Sequence, residues 1–246
     1  MKRFVRRILN ATGVDVRLVS TLRKSAENTW EKKQDALWRP FLGHRDIQTV
    51  VDVGANEGQF AKLIHRQCRE ARIISFEPLE SCQAELKSVL SGIPGSSIVK
   101  AAVGDQPGLA RMNSSAFSPC SSLLSGTNLL GEDYAEAANV QSVEVPVVTI
   151  DDALSVENLR SEILVKFDVQ GFELPAMRGA VKLLERASIV VCEVCFFRRL
   201  YDGQPLFHEI YAALRDYGFT YMGNAEQSSR RTDGRIVEAD AIFERI

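Results

Sequence analysis

Apolar positions change rhythm along this chain. Near the start they recur at helical spacing, with Phe4, Val5, Ile8 and Leu9 set among Lys2, Arg3, Arg6 and Arg7. Helix formers continue through residues 25–38 and run into Trp38-Arg39-Pro40, which predicts a helix stop near the proline. From residue 47 short apolar runs alternate with amphipathic stretches. Residues 47–53 predict a strand, 59–68 a helix and 72–76 a strand. Residues 81–90 predict a helix with Ser81 as candidate cap, and 98–103 a third strand closed by Gly104-Asp105. This βαβαβ order implies a parallel sheet with right-handed crossovers.

Residues 106–142 interrupt the alternation. After the turn Gln106-Pro107-Gly108 the chain is rich in Ser, Asn and Gly, and it reads either as a flap over the ligand side of the sheet or as a plain surface insertion. Residues 143–148 are strand-like but hold Pro146, which points to a sheet edge. Asp151-Asp152 opens a short helix, and 162–167 form a strand that delivers Asp168-Val169-Gln170-Gly171-Phe172-Glu173. A helix over 174–185 carries Pro175 in its first turn, where proline is tolerated. A strand over 189–194 and a helix over 206–216 follow, then final strands at 219–222 and 241–244 around a polar loop at 226–234. The chain thus divides into a helical extension, 1–45, and one α/β domain, 46–246, with no internal repeat.

The stretch from Val50 to Phe60 organises this pattern. Three valines make a buried strand, Gly54 and Gly58 shape a turn, and the following helix offers free backbone N–H groups to polar or anionic ligand groups. Three acids, Glu77, Asp105 and Asp168, then follow three strands. Ligands of open α/β sheets bind beyond the carboxyl ends of the strands, so these acids are expected to line one crevice with the glycine turn. Glu77 lies about 20 residues past the turn, where an acid commonly accepts ribose hydroxyls. Asp105 is placed to meet an adenine amino group or a backbone turn. Asp52 and Lys166 are charges inside apolar runs, and burying an unpaired charge is costly. Lys166 reads either as a snorkelling lysine on an edge strand or as a buried partner of Asp168 or Asp52.

Composition narrows the function classes. The 246 residues are 45% hydrophobic and 25% charged, as in an ordinary globular protein. A net charge of −2 gives no basic field for nucleic acid. Five scattered cysteines suit a reducing compartment better than a disulfide framework, and the Cys192/Cys195 pair lacks the further ligands of a zinc site. No apolar run can cross a bilayer, and the N-terminus lacks a secretory signal, so the expected location is cytoplasmic. The basic segment 1–9 either packs on its own domain or a twin subunit, or lies on the inner face of a membrane.

The segments VVDVGANEGQF (50–60), ISFEPLESCQAEL (74–86), VPVVTIDDAL (145–154), LVKFDVQGFELPAMRGAVKLL (164–184) and VVCEV (190–194) resemble the FkbM family of S-adenosylmethionine-dependent methyltransferases. That resemblance implies a class I methyltransferase, Rossmann-like fold: a mostly parallel seven-stranded sheet with an antiparallel last strand and helices on both faces. It implies that Asp52, Gly54, Asn56 and Gly58 surround the amino-acid part of S-adenosylmethionine, with Glu77 on the ribose and Asp105 near the adenine. Ala55, Phe60, Pro78 and Asp168 complete the expected cofactor contacts. Members mostly methylate hydroxyl oxygens of sugars, polyketides or glycolipids, so the expected partner is a glycan or small-molecule acceptor. A hydroxyl is a weak acid and needs a base or a metal. Asp168 is the first candidate base, with Glu173, Glu193 and Lys166 in support and His208 more naturally a surface residue. No metal site is expected, although Asp168, Glu173 and Glu193 form a conceivable oxygen set for Mg²⁺. Glu193 can instead pair with Arg198 or Arg199. The alternatives are an NAD-dependent oxidoreductase, for which the fuller glycine pattern is missing, and a membrane-associated, non-catalytic nucleoside-binding protein.

Overall fold

The computed structural model describes residues 19–134, 137, 139–230 and 233–246. The basic segment 1–9 lies outside them. Five strands run parallel: β1 (Thr49–Val53), β2 (Arg72–Phe76), β3 (Ser97–Val99), β7 (Ile163–Phe167) and β8 (Ile189–Cys195). With β9 (Phe219–Ser229) and β10 (Ile236–Arg245) they form a seven-stranded sheet ordered β3-β2-β1-β7-β8-β10-β9. β10 is antiparallel to both neighbours. The order reverses between β1 and β7, the switch point at which α/β sheets open a ligand crevice.

Strand pleating sorts alternate residues into two cores. Val51, Val53, Val165, Phe167 and Val190 face one core, shared with α5 (Ile150–Ala153), α6 (Glu173–Arg178), α7 (Val181–Arg186) and α8 (Phe207–Asp216). Val50, Leu164, Ile189 and Val191 face the other, under α1 (Val19–Leu42), α2 (Gln59–Gln67) and α3 (Glu80–Leu90). The end of α1, at Trp38 and Leu42, is therefore bound into the domain. Trp38 packs edge-on against Phe60 at 5.4 Å, and its Nε1–H donates to Glu226 at 2.9 Å.

Several expectations are corrected. The first helix does not stop at Pro40 but runs to Leu42, because Trp38 and Leu42 are buried and hold its last turn in the core. The strand expected over 98–103 splits: β3 ends at Val99, and Ala102–Val103 (β4) leaves for a second sheet. That sheet, β4-β6-β5, is built largely from the presumed loop. Gly108–Ser115 (β5) pairs along Val140–Val148 (β6), and α4 (Asn128–Asp133) lies between them in sequence. Pro146 is thus in a central strand, tolerated because β4 begins pairing only at Val147. Leu79, not Ser81, occupies the N-cap position of α3, and no side chain caps that end. The helix over 174–185 is broken at Gly179, where a Cβ would lie 2.0 Å from the Gly104 carbonyl oxygen. The polar stretch 226–234 is strand as far as Ser229.

Candidate active site

The β1 strand delivers a turn built on left-handed backbone at Gly54, Asn56 and Gly58 (φ +86°, +49° and +86°). At Gly54 a Cβ would sit 1.8 Å from the Asp168 carbonyl oxygen, so only glycine lets the β1 and β7 turns touch. At Gly58 it would instead meet Leu86 and Val89 of α3. The carboxylate of buried Glu77, just past β2, accepts the Asn56 N–H at 2.8 Å on one oxygen and the Leu79 N–H at 2.8 Å on the other. Each oxygen keeps a lone pair for a further donor. Burial pushes the Glu77 carboxyl up, against the pull of its two backbone donors. Ser118, from the segment between β5 and β6, donates to the Asn56 side chain at 3.0 Å and ties that segment to the turn.

A cavity of about 270 Å³ opens between this turn and the ends of β7 and β8. Gly54, Ala55, Asn56, Phe60, Glu77, Pro78, Lys166, Asp168 and Glu193 line it, as do Met112, Ser118 and Leu123 of the insertion, which therefore covers the ligand side. Four expected residues lie outside the lining. Asp52 is fully buried beneath the turn, and Gly58 serves helix packing. Glu173 is buried and accepts the Val169 and Gly171 N–H groups at 3.3 and 3.0 Å, so it holds the turn after β7. Asp105 is corrected most clearly: it pairs with Arg178 at 2.9 Å on the surface. Because β3 stops at Val99, the strand-end wall is made by Ala101, Ala102 and Val103 instead.

Lys166 is not on an edge. β7 is central, Lys166 is 9% exposed, and its Nζ donates to Asp168 at 2.7 Å while lying 5.0 Å from the Phe60 ring centroid. It also stands in strand register with Asp52, whose carboxylate oxygens have no hydrogen-bond partner among the described residues. Burial pushes Asp52 up to about 7 even though Lys166 opposes it. Burial would also raise Asp168, but the charge and hydrogen bond of Lys166, with Gln170 and Glu193, hold it below the usual carboxylate range. Lys166 in turn stays protonated: the charges of Asp168, Asp240 and Asp52 outweigh its burial.

One position past the paired Phe167 and Cys192 stand Asp168 and Glu193. Gln170, at φ +53°, bridges them. Its amide nitrogen donates to Asp168 at 3.0 Å and to Glu193, and its carbonyl accepts the Tyr201 O–H at 2.8 Å. Gln170 was not expected in the site. The only hint was a polar side chain placed directly before Gly171 in a strand-end turn. Arg198 and Arg199 bind Glu132 and Glu209, so they are not the partners of Glu193 that the sequence offered. Burial raises Glu193 well above the ordinary glutamate value, and the charges of Asp168, Glu238 and Asp240 add to it. Among the described residues no group of three His, Cys, Asp or Glu is arranged to hold a metal ion. Glu173 is turned to backbone, and the Gln170 amide stands between the other two carboxylates.

Solved structures to which the chain is similar include the N-methyltransferase NodS from Bradyrhizobium japonicum WM9 with S-adenosyl-L-homocysteine, at 12% identity over 87% of this chain and 86% of that one (TM-score 0.46). Another is an rRNA methylase from Streptococcus thermophilus, at 12% identity over 89% and 95% (TM-score 0.42). Closer in sequence is the 31-O-demethyl-FK506 methyltransferase FkbM of Streptomyces tacrolimicus, 28% identical over 219 residues, covering 77% of this chain and 80% of that protein. The Methyltransferase FkbM domain profile matches residues 52–221, from the buried Asp52 through most of the sheet. The chain belongs to the FkbM family of S-adenosylmethionine-dependent methyltransferases.

Proposed function

We propose that the protein methylates a hydroxyl oxygen of a sugar, glycolipid or secondary metabolite. The observation that carries this reading is the cavity that joins the Gly54–Asn56 turn and Glu77 to the carboxylates of Asp168 and Glu193. The first part suits a nucleoside and its amino-acid tail. Glu77 keeps acceptor capacity for a vicinal diol, and Gly54, Ala55 and Asn56 line the cavity beside it. The second part supplies proton acceptors, which an alcohol needs and a softer nucleophile does not. S-adenosylmethionine, when bound, supplies the methyl group and leaves as a neutral thioether. Lys166 and Gln170 hold Asp168 ionised at the cavity wall, and the insertion with Met112 and Leu123 excludes water from it. The relative from Streptomyces tacrolimicus, by its name, acts at a 31-O position, which supports oxygen as the accepting atom.

Purified protein incubated with methyl-labelled S-adenosylmethionine and an extract of cells lacking the gene tests this. The label is expected in a methyl ether of a sugar or lipid, identified by mass and by nuclear magnetic resonance. Label recovered only on nitrogen or carbon contradicts the reading.

A further inference from the structure

The charges around the cavity do not balance. Lys166 lies 2.7 Å from Asp168 and compensates it. Glu193, which lines the same cavity, meets the neutral Gln170 amide and the carboxylate of Asp168, and has no salt bridge among the described residues. The groups facing it from neighbouring elements are acidic or neutral. Across the β8–β10 pairing stands Asp240, in direct register, with Glu238 two positions earlier on the same strand. Glu173 faces it from α6, and Tyr134 and Tyr201 approach from the insertion and from the loop after β8. Cys192 and Cys195 flank it on its own strand, both buried. Lys166 is the cation beside Asp168 and Asp240, and adjacent carboxylates in a largely enclosed site do not all ionise.

The other acids are committed elsewhere. Asp168 is held by Lys166, Glu77 by two backbone N–H groups, and Glu173 by the turn it caps. Asp52, Glu173 and Asp240 do not line the cavity. Of the three carboxyls that line the cavity, Glu193 is the one with neither an ion pair nor a backbone N–H donor among the described residues.

We propose that Glu193 carries a proton in the resting protein, releases it when a cation enters the cavity, and then takes the proton of the acceptor hydroxyl. Its proton affinity, raised by burial and by Asp168, Glu238 and Asp240, is the one a nearby positive charge lowers most directly. In the transfer the acceptor oxygen bonds to the methyl carbon as the carbon–sulfur bond breaks, the electron pair stays on sulfur, and the hydroxyl proton passes to Glu193. One positive charge vanishes as one negative charge is neutralised, so the net charge of the desolvated cavity is the same before and after. A preorganised site of this kind needs no rearrangement of solvent during the step. Gln170 is then a positioning residue that holds Glu193 beside Asp168 without adding charge.

The inference rests on the methyltransferase reading, and calorimetry separates the two. S-adenosylmethionine and S-adenosylhomocysteine differ in the sulfonium charge, so the difference in proton release on binding isolates its effect. Each is titrated into the full chain at neutral pH, in buffers of different ionisation enthalpy. S-adenosylmethionine is expected to release up to about one proton more than S-adenosylhomocysteine. Glu193→Gln is expected to bind both ligands and lose that difference. Asp240→Asn, which removes a like charge opposite Glu193, is expected to reduce it. Equal proton release for the two ligands in the wild type overturns the proposal, as does an undiminished difference in either variant. Failure of both ligands to bind overturns the methyltransferase reading as well.

Discussion

Replacing Lys166 by Met keeps the buried stem and removes the one cation between Asp52 and Asp168. Lys166 is 9% exposed, its ion pair spans 2.7 Å, and Asp52 beside it has no hydrogen-bond partner among the described residues. Removing one partner of a buried pair costs roughly 3–5 kcal/mol, because the other charge stays buried. In a chain of this size each kcal/mol moves the melting temperature by about 2–4 °C, so the expected fall is roughly 6–20 °C at pH 8. The pH dependence carries the sharper signature. In the wild type Asp168 is held below its unfolded value, so its contribution is present above that value and is lost as pH falls through the folded one. Without Lys166 both Asp168 and Asp52 sit above their unfolded values, and each becomes a penalty that grows as pH rises from about 4. Calorimetric melting of both proteins between pH 5 and pH 8 is therefore expected to show a gap that narrows steadily toward acid. A gap that does not change with pH, or one below about 1 kcal/mol, refutes the reasoning, since it lies within what an exposed pair contributes.

Gly54→Ala places a Cβ 1.8 Å from the rigid Asp168 carbonyl oxygen, whereas Gly58→Ala meets side chains of α3 at 3.2–3.3 Å. Both bear left-handed strain of about 1–2 kcal/mol; Gly54→Ala is expected to melt well below Gly58→Ala and to lose S-adenosylhomocysteine binding, and equal melting temperatures contradict the close approach. Asp105→Ala breaks only the half-exposed pair with Arg178. Its stability should fall by about 0–1 kcal/mol with no change in calorimetric ligand affinity, and a loss of affinity would return Asp105 to the binding site. Tyr201→Phe removes the O–H that the Gln170 side-chain carbonyl accepts at 2.8 Å, so that carbonyl loses this donor. A loss of about 1–3 kcal/mol in denaturant unfolding is expected, and an unchanged midpoint argues that Tyr201 does not hold the bridge.

The glycine turn, Glu77 and Asp168 were legible in the sequence because local chemistry specifies them. Left-handed backbone selects Gly54 and Gly58, and an acid just past each strand end falls in the crevice by parallel register. Lys166 showed as an anomaly in an apolar run, but its partner emerged only when β7 took a central position. Asp105 was misplaced because strand length decides which residue reaches the crevice, and nothing in residues 97–103 announces that the chain changes sheets at Lys100. The insertion read as loop because β5 has one buried residue in eight and ends in Asn113-Ser114-Ser115, so its pairing with β6 leaves little hydrophobic alternation to detect. Gln170 was passed over because a neutral amide gains a role only when Asp168, Glu193 and Tyr201 converge on it from separate elements.

The central claim is that the cavity between the Gly54–Asn56 turn, Glu77 and the Asp168–Glu193 pair is where S-adenosylmethionine binds. A crystal structure of the full chain grown with S-adenosylhomocysteine tests it most directly. The account predicts ribose hydroxyls on Glu77, the amino-acid end over the Gly54–Asn56 turn, and the sulfur facing Asp168 and Glu193. Density for the ligand elsewhere, with the Glu77 carboxylate untouched, contradicts it.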